Sequence, residues 1–315
     1  MSKKKPKAAV SAPVKRSRAA KAAPSARTKA AVRRPPAPRP PAPAARSRTS
    51  PSPAVNDGSG PLRLAVIATV YTYLSHAQHF ADRFLVGYPY EGEWRRSNTK
   101  VVSLYVDQKP EGDQSVDRAR EFDFEVYSSV SQALCCGGRK LAVDGVLIIG
   151  EHGDYPSNEL GQIQYPRYEM FKECVKVFEA SGRSVPIYND KHLSYSFDKA
   201  QEMVADGHRL GFPILAGSSL PVTWRLPDLE LPYDCDIEEA LMIGVGGSDA
   251  MDYHALEAMQ CMIERRRGGE TGIASVQLIE GKKVWKAGDE GRWSKRLLEA
   301  ALSRSDSPQG LTLED

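Results

Sequence analysis

The sequence predicts an α/β fold, with a Rossmann-like doubly wound parallel sheet over residues 61–222 and a reduced α+β unit over 223–302. Three observations predict it. From Val143 to Trp224 three short apolar runs (VDGVLIIG, VPIYND, FPILAG) alternate with two amphipathic helical patterns. The runs are uninterrupted, as in parallel strands covered on both faces. Each run also stops in a burst of polar residues: Glu151, His152 and Asp154; then Asn189, Asp190, Lys191 and His192; then Ser218 and Ser219. In open α/β sheets ligands bind beyond the carboxyl ends of the strands, where these bursts fall.

The elements follow in order. Leu62–Val70 (LRLAVIATV) reads as the first buried strand. Ser75 is an N-cap for a helix to about Val86, with Phe80, Phe84 and Leu85 on one side. A loop rich in Gly, Pro and Trp spans Gly87–Asn98, and Lys100–Val106 is the second strand. A short helix over Ala119–Phe124 leads to a third strand at Glu125–Tyr127. Val130–Cys136 is helical, and Val143–Ile149 is the fourth strand. Helix Tyr168–Ser181 places Tyr168, Phe171, Val175 and Phe178 on one face, and Gly182 stops it. Val185–Tyr188, a helix over 196–210 stopped by Gly211, and a strand over Phe212–Ala216 complete the pattern. Beyond Trp224 the reading is a strand at Ile237–Gly244, a helix at His254–Arg267, a hairpin of Ile273–Ile279 with Val284–Trp285, and a helix at Trp293–Leu302. A polar tail, 303–315, follows.

Composition divides the chain near Pro61. Residues 1–60 hold 15 Lys and Arg against one acid, 11 of the 22 prolines and no aromatic residue. The remainder carries 28 basic and 39 acidic residues, so a net +3 hides a tail of +14 and a body of −11. Such a tail buries too little apolar surface to offset the entropy of folding and is expected to be disordered. It can bind polyanions nonspecifically, but no aromatic is interleaved for base stacking. No run approaches the ~20 apolar residues of a membrane span, and the tail has no apolar segment of a secretory signal. The cysteines, at 135, 136, 174, 235 and 261, show no CxxC spacing and are odd in number. That usage fits a reducing cytoplasm.

Three groups of residues carry chemistry. Glu151, His152 and Asp154 within four positions could bind a divalent metal or serve as acid and base, and His192 could join them as a fourth metal ligand. Lys191 follows a buried strand directly, where its charge can steady an oxyanion. His254 opens a helix after Gly246-Gly247 and could face the crevice; His76 sits at the crevice too. A dinucleotide-binding first turn wants G-x-G-x-x-G, because the backbone must approach the pyrophosphate closely. Here the turn runs Ala68-Thr69-Val70-Tyr71-Thr72-Tyr73-Leu74-Ser75-His76, without a glycine, which argues against NAD in its usual pose. The helix at Ser75 still offers N–H groups to an anion, and Asp107 ends the second strand where an acid would hold a ribose hydroxyl.

Pro186–Leu220 resembles the glucose–fructose oxidoreductase / inositol dehydrogenase (Gfo/Idh/MocA) family, in which a strand ends in Glu-Lys-Pro and a helix follows. Here that site reads Asp190-Lys191-His192. Asp144–Gly150 resembles the preceding family strand, and Gly246–His254 resembles the loop-to-helix region that carries a catalytic histidine. The resemblance implies Lys191, His254 and Asp190 as catalytic residues. It implies NAD or NADP as cofactor, with Thr69, Tyr71, Ser75, Asp107, Glu151 and Lys191 as its contacts. The substrate it implies is a sugar- or polyol-like small molecule. Two other readings stand beside it: metal-assisted chemistry on Glu151, His152, Asp154 and His192, or a non-catalytic binding protein, with no cofactor, on a decayed dehydrogenase scaffold.

Overall fold

The run LRLAVIA forms strand β1 (Leu62–Ala68), whose last five residues are buried. In the computed structural model, which describes residues 60–245 and 249–304, β1 sits inside a six-stranded parallel sheet. The other strands are β4 (Thr99–Val106), β5 (Glu125–Tyr127), β6 (Gly145–Ile149), β7 (Ile187–Asp190) and β8 (Ile214–Gly217). Their spatial order is β5-β4-β1-β6-β7-β8, and every pairing is parallel. The order reverses at β1, so the carboxyl ends of β1 and β6 flank the switch point of a Rossmann-like sheet.

Successive side chains of a strand point to opposite faces, and β1 supplies both. Leu64, Val66 and Ala68 pack with Ala77 and Ala81 of helix α1 (His76–Leu85), while Ala65 and Ile67 pack on the other face. There they meet Val130 and Ala133 of α3 (Val130–Leu134), Phe171 and Phe178 of α4 (Arg167–Ser181), and Met203 of α5 (Phe197–Leu210). A further helix, α2 (Ser115–Phe122), links β4 to β5. Helix boundaries follow local chemistry. Ser75 and Ser196 cap α1 and α5 by accepting the N–H of Gln78 and Lys199, and Gly182 and Gly211 end α4 and α5 in the left-handed conformation.

Three expectations fail here. The Gly87–Asn98 loop is a hairpin of β2 (Tyr88–Tyr90) and β3 (Glu93–Arg95). Its two-residue turn, Glu91-Gly92, has positive φ at both positions, the geometry that matches strand twist. Gly87 at φ +103 permits the close return, since a Cβ there would meet the Arg95 carbonyl at 2.4 Å. The second and third failures lie beyond Val222. Ile237–Gly244 forms no strand, because among the described residues no neighbour pairs with it. Instead Ala240–Met242 lines one apolar cavity with Met259 and Met262 of α6 (Asp249–Ile263). Ile273–Ile279 is also unpaired, and Val284–Trp285 lies in helix α7 (Lys282–Asp289). Helix wins there because Trp293 folds back, its indole donating to the Val284 carbonyl at 2.9 Å and its ring covering Gly288. The final helix, α8 (Lys295–Leu302), is where expected.

No helix among the described residues is long and apolar enough to cross a membrane, and all five cysteines are free thiols. The expected disorder of residues 1–60, all but Gly60, the loop at Gly246-Gly247 and most of the polar tail 303–315 lie outside the described residues.

Candidate functional site

The end of β7 carries the densest polar chemistry, and it is buried. Asn189, Asp190 and Lys191 are 0%, 1% and 7% exposed. The Asn189 amide donates to the carbonyls of Asp190 and His192, which fixes the loop leaving the strand. Lys191 then adopts φ +68, a left-handed conformation disfavoured for a side chain with Cβ. Its N–H still donates to the Gly217 carbonyl of the adjacent strand at 3.0 Å. The side chain reaches helix α6, where Nζ meets His254 Nε2 at 2.5 Å.

Behind His254 stands a carboxylate. Glu257, one turn along α6, lies 3.5 Å from His254 Nδ1 and accepts the Tyr253 hydroxyl at 3.2 Å. It also accepts the Ser218 N–H at 2.8 Å and the Ser218 hydroxyl at 2.5 Å, which pins the end of β8 to α6. Burial alone would raise the Glu257 pKa, but these donors, Ser218 foremost, hold it below the ordinary carboxylate range. His254 thus meets Lys191 through Nε2 and Glu257 through Nδ1.

A second cluster lies at the switch point. His76, the first residue of α1, places Nδ1 2.6 Å from Asp190 Oδ2, and its ring meets that of His152 edge-on at 5.1 Å. His152 also holds a left-handed backbone, φ +71. Thr69, fully buried at the end of β1, donates its hydroxyl to the Glu151 carbonyl at 2.7 Å. The Glu151 carboxylate accepts from Arg167 Nη2 at 2.6 Å, and Arg167 Nη1 meets His192 Nε2 at 3.1 Å. Arg167 is 1% exposed and opens α4.

The structure thus groups Glu151, His152, Asp190, Lys191 and His254 along one edge of the sheet, with Thr69 and Ser75 beside them. The suggested metal set of Glu151, His152, Asp154 and His192 does not assemble. Asp154 is exposed and held through its backbone by the Gln108 amide, and His192 is turned to Arg167. The one such group among the described residues is His76, Glu151 and Asp190. His76 and Ser218 were expected at the crevice without a role, and Arg167, Tyr253 and Glu257 were not expected there. Two carried a signal: Glu257 stands three residues after His254, on the same helical face, and Arg167 is a cation at a helix start, where the dipole disfavours it.

The turn after β1 does not fit a dinucleotide in its usual pose. Tyr71 is 1% exposed, its hydroxyl turned inward to Asp82 at 2.9 Å, and burial pushes its pKa far up. Ser75 Oγ accepts the N–H groups of Thr72 and Gln78, and the Gln78 side chain accepts that of Leu74. Donors that would cradle a pyrophosphate are taken by the chain itself. Asp107 is occupied as well: its two oxygens accept the hydroxyls of Tyr105 and Tyr155 at 2.6 and 2.7 Å.

His192 is expected to make stability pH-dependent. Burial, and then the Arg167 guanidinium, push its pKa down to about 4. In the unfolded chain it titrates near its ordinary value of about 6.5. Between these values the unfolded chain takes a proton that the folded one refuses, so stability falls as pH drops through the window. Burial lowers the His152 pKa in the same direction. His192→Asn should therefore flatten, without abolishing, the fall in melting temperature between about pH 6.5 and 4. An unchanged slope would place the titration elsewhere.

No family model matches the chain, and no curated protein matches it. Among solved structures it is similar to an NAD-binding oxidoreductase from Klebsiella pneumoniae, at 19% identity and a TM-score of 0.34, over 52% of this chain and 36% of that one. It is similar to biliverdin reductase from Synechocystis in complex with biliverdin and NADP+, at 14% identity and 0.32, over 50% and 37%. It is also similar to UDP-N-acetylglucosamine 3-dehydrogenase from Acidithiobacillus ferrooxidans, at 13% identity and 0.32, over 50% and 38%. The chain spans little more than a third of the length of each.

Proposed function

We propose that the chain binds a sugar- or polyol-like molecule at the carboxyl edge of its sheet and exchanges a hydroxyl proton there, as an oxidoreductase of the Gfo/Idh/MocA type would. The observation that carries this reading is the contact of Lys191 Nζ with His254 Nε2, backed by Glu257. A ligand hydroxyl entering between them accepts from the ammonium and donates to the imidazole. His254 then takes the proton at Nε2, and the Glu257 carboxylate stabilises the imidazolium through Nδ1. Lys191 favours the alkoxide by its charge at the edge of low dielectric. The β1–α1 turn and Asp107 do not offer a nicotinamide dinucleotide its usual contacts, their polar groups being held within the chain.

The test is calorimetric titration of the purified chain with myo-inositol, glucose, NAD+ and NADP+. One of the two polyols should bind. Lys191→Met keeps the stem and removes the charge, and should weaken that binding about ten- to hundredfold, the worth of a hydrogen bond to a charged group. Its melting temperature should stay close to that of the parent. Binding untouched by Lys191→Met would defeat the reading, and so would a chain that binds neither polyol. Micromolar NAD+ or NADP+ binding would defeat the reading of the β1–α1 turn.

A further inference from the structure

We infer that His76, Glu151 and Asp190 form a three-ligand site for a first-row divalent transition metal. The three come from the start of α1 and the ends of β6 and β7, and their ligand atoms all lie within 4.8 Å of one another. None is a solvated surface acid: the Asp190 side chain is 1% exposed, that of Glu151 13% and that of His76 25%.

A second observation points the same way. Asp190 Oδ2 faces His76 Nδ1, but the buried Oδ1 meets no hydrogen-bond partner. A carboxylate taken out of water is costly unless both oxygens are satisfied. Lys191, its neighbour in sequence, is turned to His254 instead. A divalent ion at this point supplies the missing charge. Arg167 holds one oxygen of Glu151 and so fixes the carboxylate, the part an outer partner plays around a metal. Its positive charge and that of Lys191 work against the ion, and the two carboxylates work for it.

The donor set indicates the class of metal. One imidazole nitrogen with two carboxylates suits Zn2+, Fe2+ or Mn2+ better than an all-oxygen cation such as Ca2+. Bond lengths of about 2.0–2.1 Å put tetrahedral ligand atoms roughly 3.3 Å apart. The His76–Asp190 pair, at 2.6 Å, must therefore open slightly and Glu151 must close in. The part-exposed His76 leaves a path for a fourth ligand from solvent. This inference does not depend on Lys191 and His254 acting as proposed, since it rests on different side chains.

The experiment uses the full chain, stripped with a chelator and then titrated with Zn2+ against a chromophoric competitor, with Co2+ as a spectroscopic probe. One equivalent should bind, and the Co2+ spectrum should show nitrogen and oxygen ligation without thiolate charge-transfer bands. His76→Gln and Glu151→Gln should each weaken binding about tenfold or more. His79→Ala, an exposed histidine three residues along α1, should leave it unchanged. Melting curves identify any variant that fails to fold. Binding that survives His76→Gln in a folded chain overturns the inference, whatever Glu151→Gln does. Thiolate bands, loss on His79→Ala, or no stoichiometric metal overturn it too.

Discussion

Replacing Arg167 by methionine is expected to lower stability by about 3–5 kcal/mol, the cost of removing one partner from a buried ion pair. The guanidinium is 1% exposed, and its partner Glu151 is 13% exposed. The methionine keeps much of the stem volume, so the loss reads out charge and hydrogen bonding more than a cavity. It strands the Glu151 carboxylate at the end of β6 and removes the partner of His192 beyond β7. The stem is built into the site as well. A Cβ on Gly150 would meet Arg167 Cγ at 2.6 Å, so the glycine is where the arginine crosses the strand end. Urea unfolding at neutral pH measures the loss. The double variant Arg167→Met, Glu151→Gln should recover part of it, because no buried charge is then left unpaired. A loss below about 1 kcal/mol would mean that the pair is solvated and the site looser than the geometry implies.

Arg167 also marks where reading the sequence stops. The sheet was legible because each cue is local: uninterrupted apolar runs, Ser75 and Ser196 as caps, Gly182 and Gly211 as stops. The meeting of Lys191 with the crevice edge was legible because parallel strands end on one edge of the sheet. The partners were not. His76 and Asp190 are 114 residues apart, and Arg167 and His192 25 apart; such pairs form only when the sheet brings strand ends and helix starts together. A metal set drawn from neighbours in sequence, Glu151, His152, Asp154 and His192, accordingly missed the trio that the fold assembles. The region after Val222 failed for the opposite reason. In Ile273–Ile279 and Val284–Trp285 apolar residues suit a pleated surface, yet a strand exists only with a partner. Trp293 supplied a helical packing instead.

Glu257→Ala is expected to loosen α6 while leaving the sheet intact. Glu257 takes two hydrogen bonds from Ser218 at the end of β8, and it takes Tyr253 and His254 on its own helix. Hydrogen bonds to a charged group contribute about 1.5–3 kcal/mol each. Losing the pair from Ser218 should thus cost the local docking of α6 about 3 kcal/mol, or roughly a hundredfold in amide protection. The strands should keep theirs, because β1 and β6 are buried on both faces and touch none of these groups. The proposed polyol binding should fall as well, since His254 loses the carboxylate beside its Nδ1. The pH dependence supplies a check that a purely steric role would not move. The folded pKa of Glu257 lies below its unfolded value, so its stabilisation is present above about pH 4.5 and is lost as pH falls through the folded value. Glu257→Gln should remove that acid-labile part while keeping the side-chain shape, and protection of α6 should then stop depending on pH in that range. If α6 exchanges in Glu257→Ala as it does in the parent chain, the helix is held by other contacts, and Glu257 cannot be the residue that fixes His254 over Lys191.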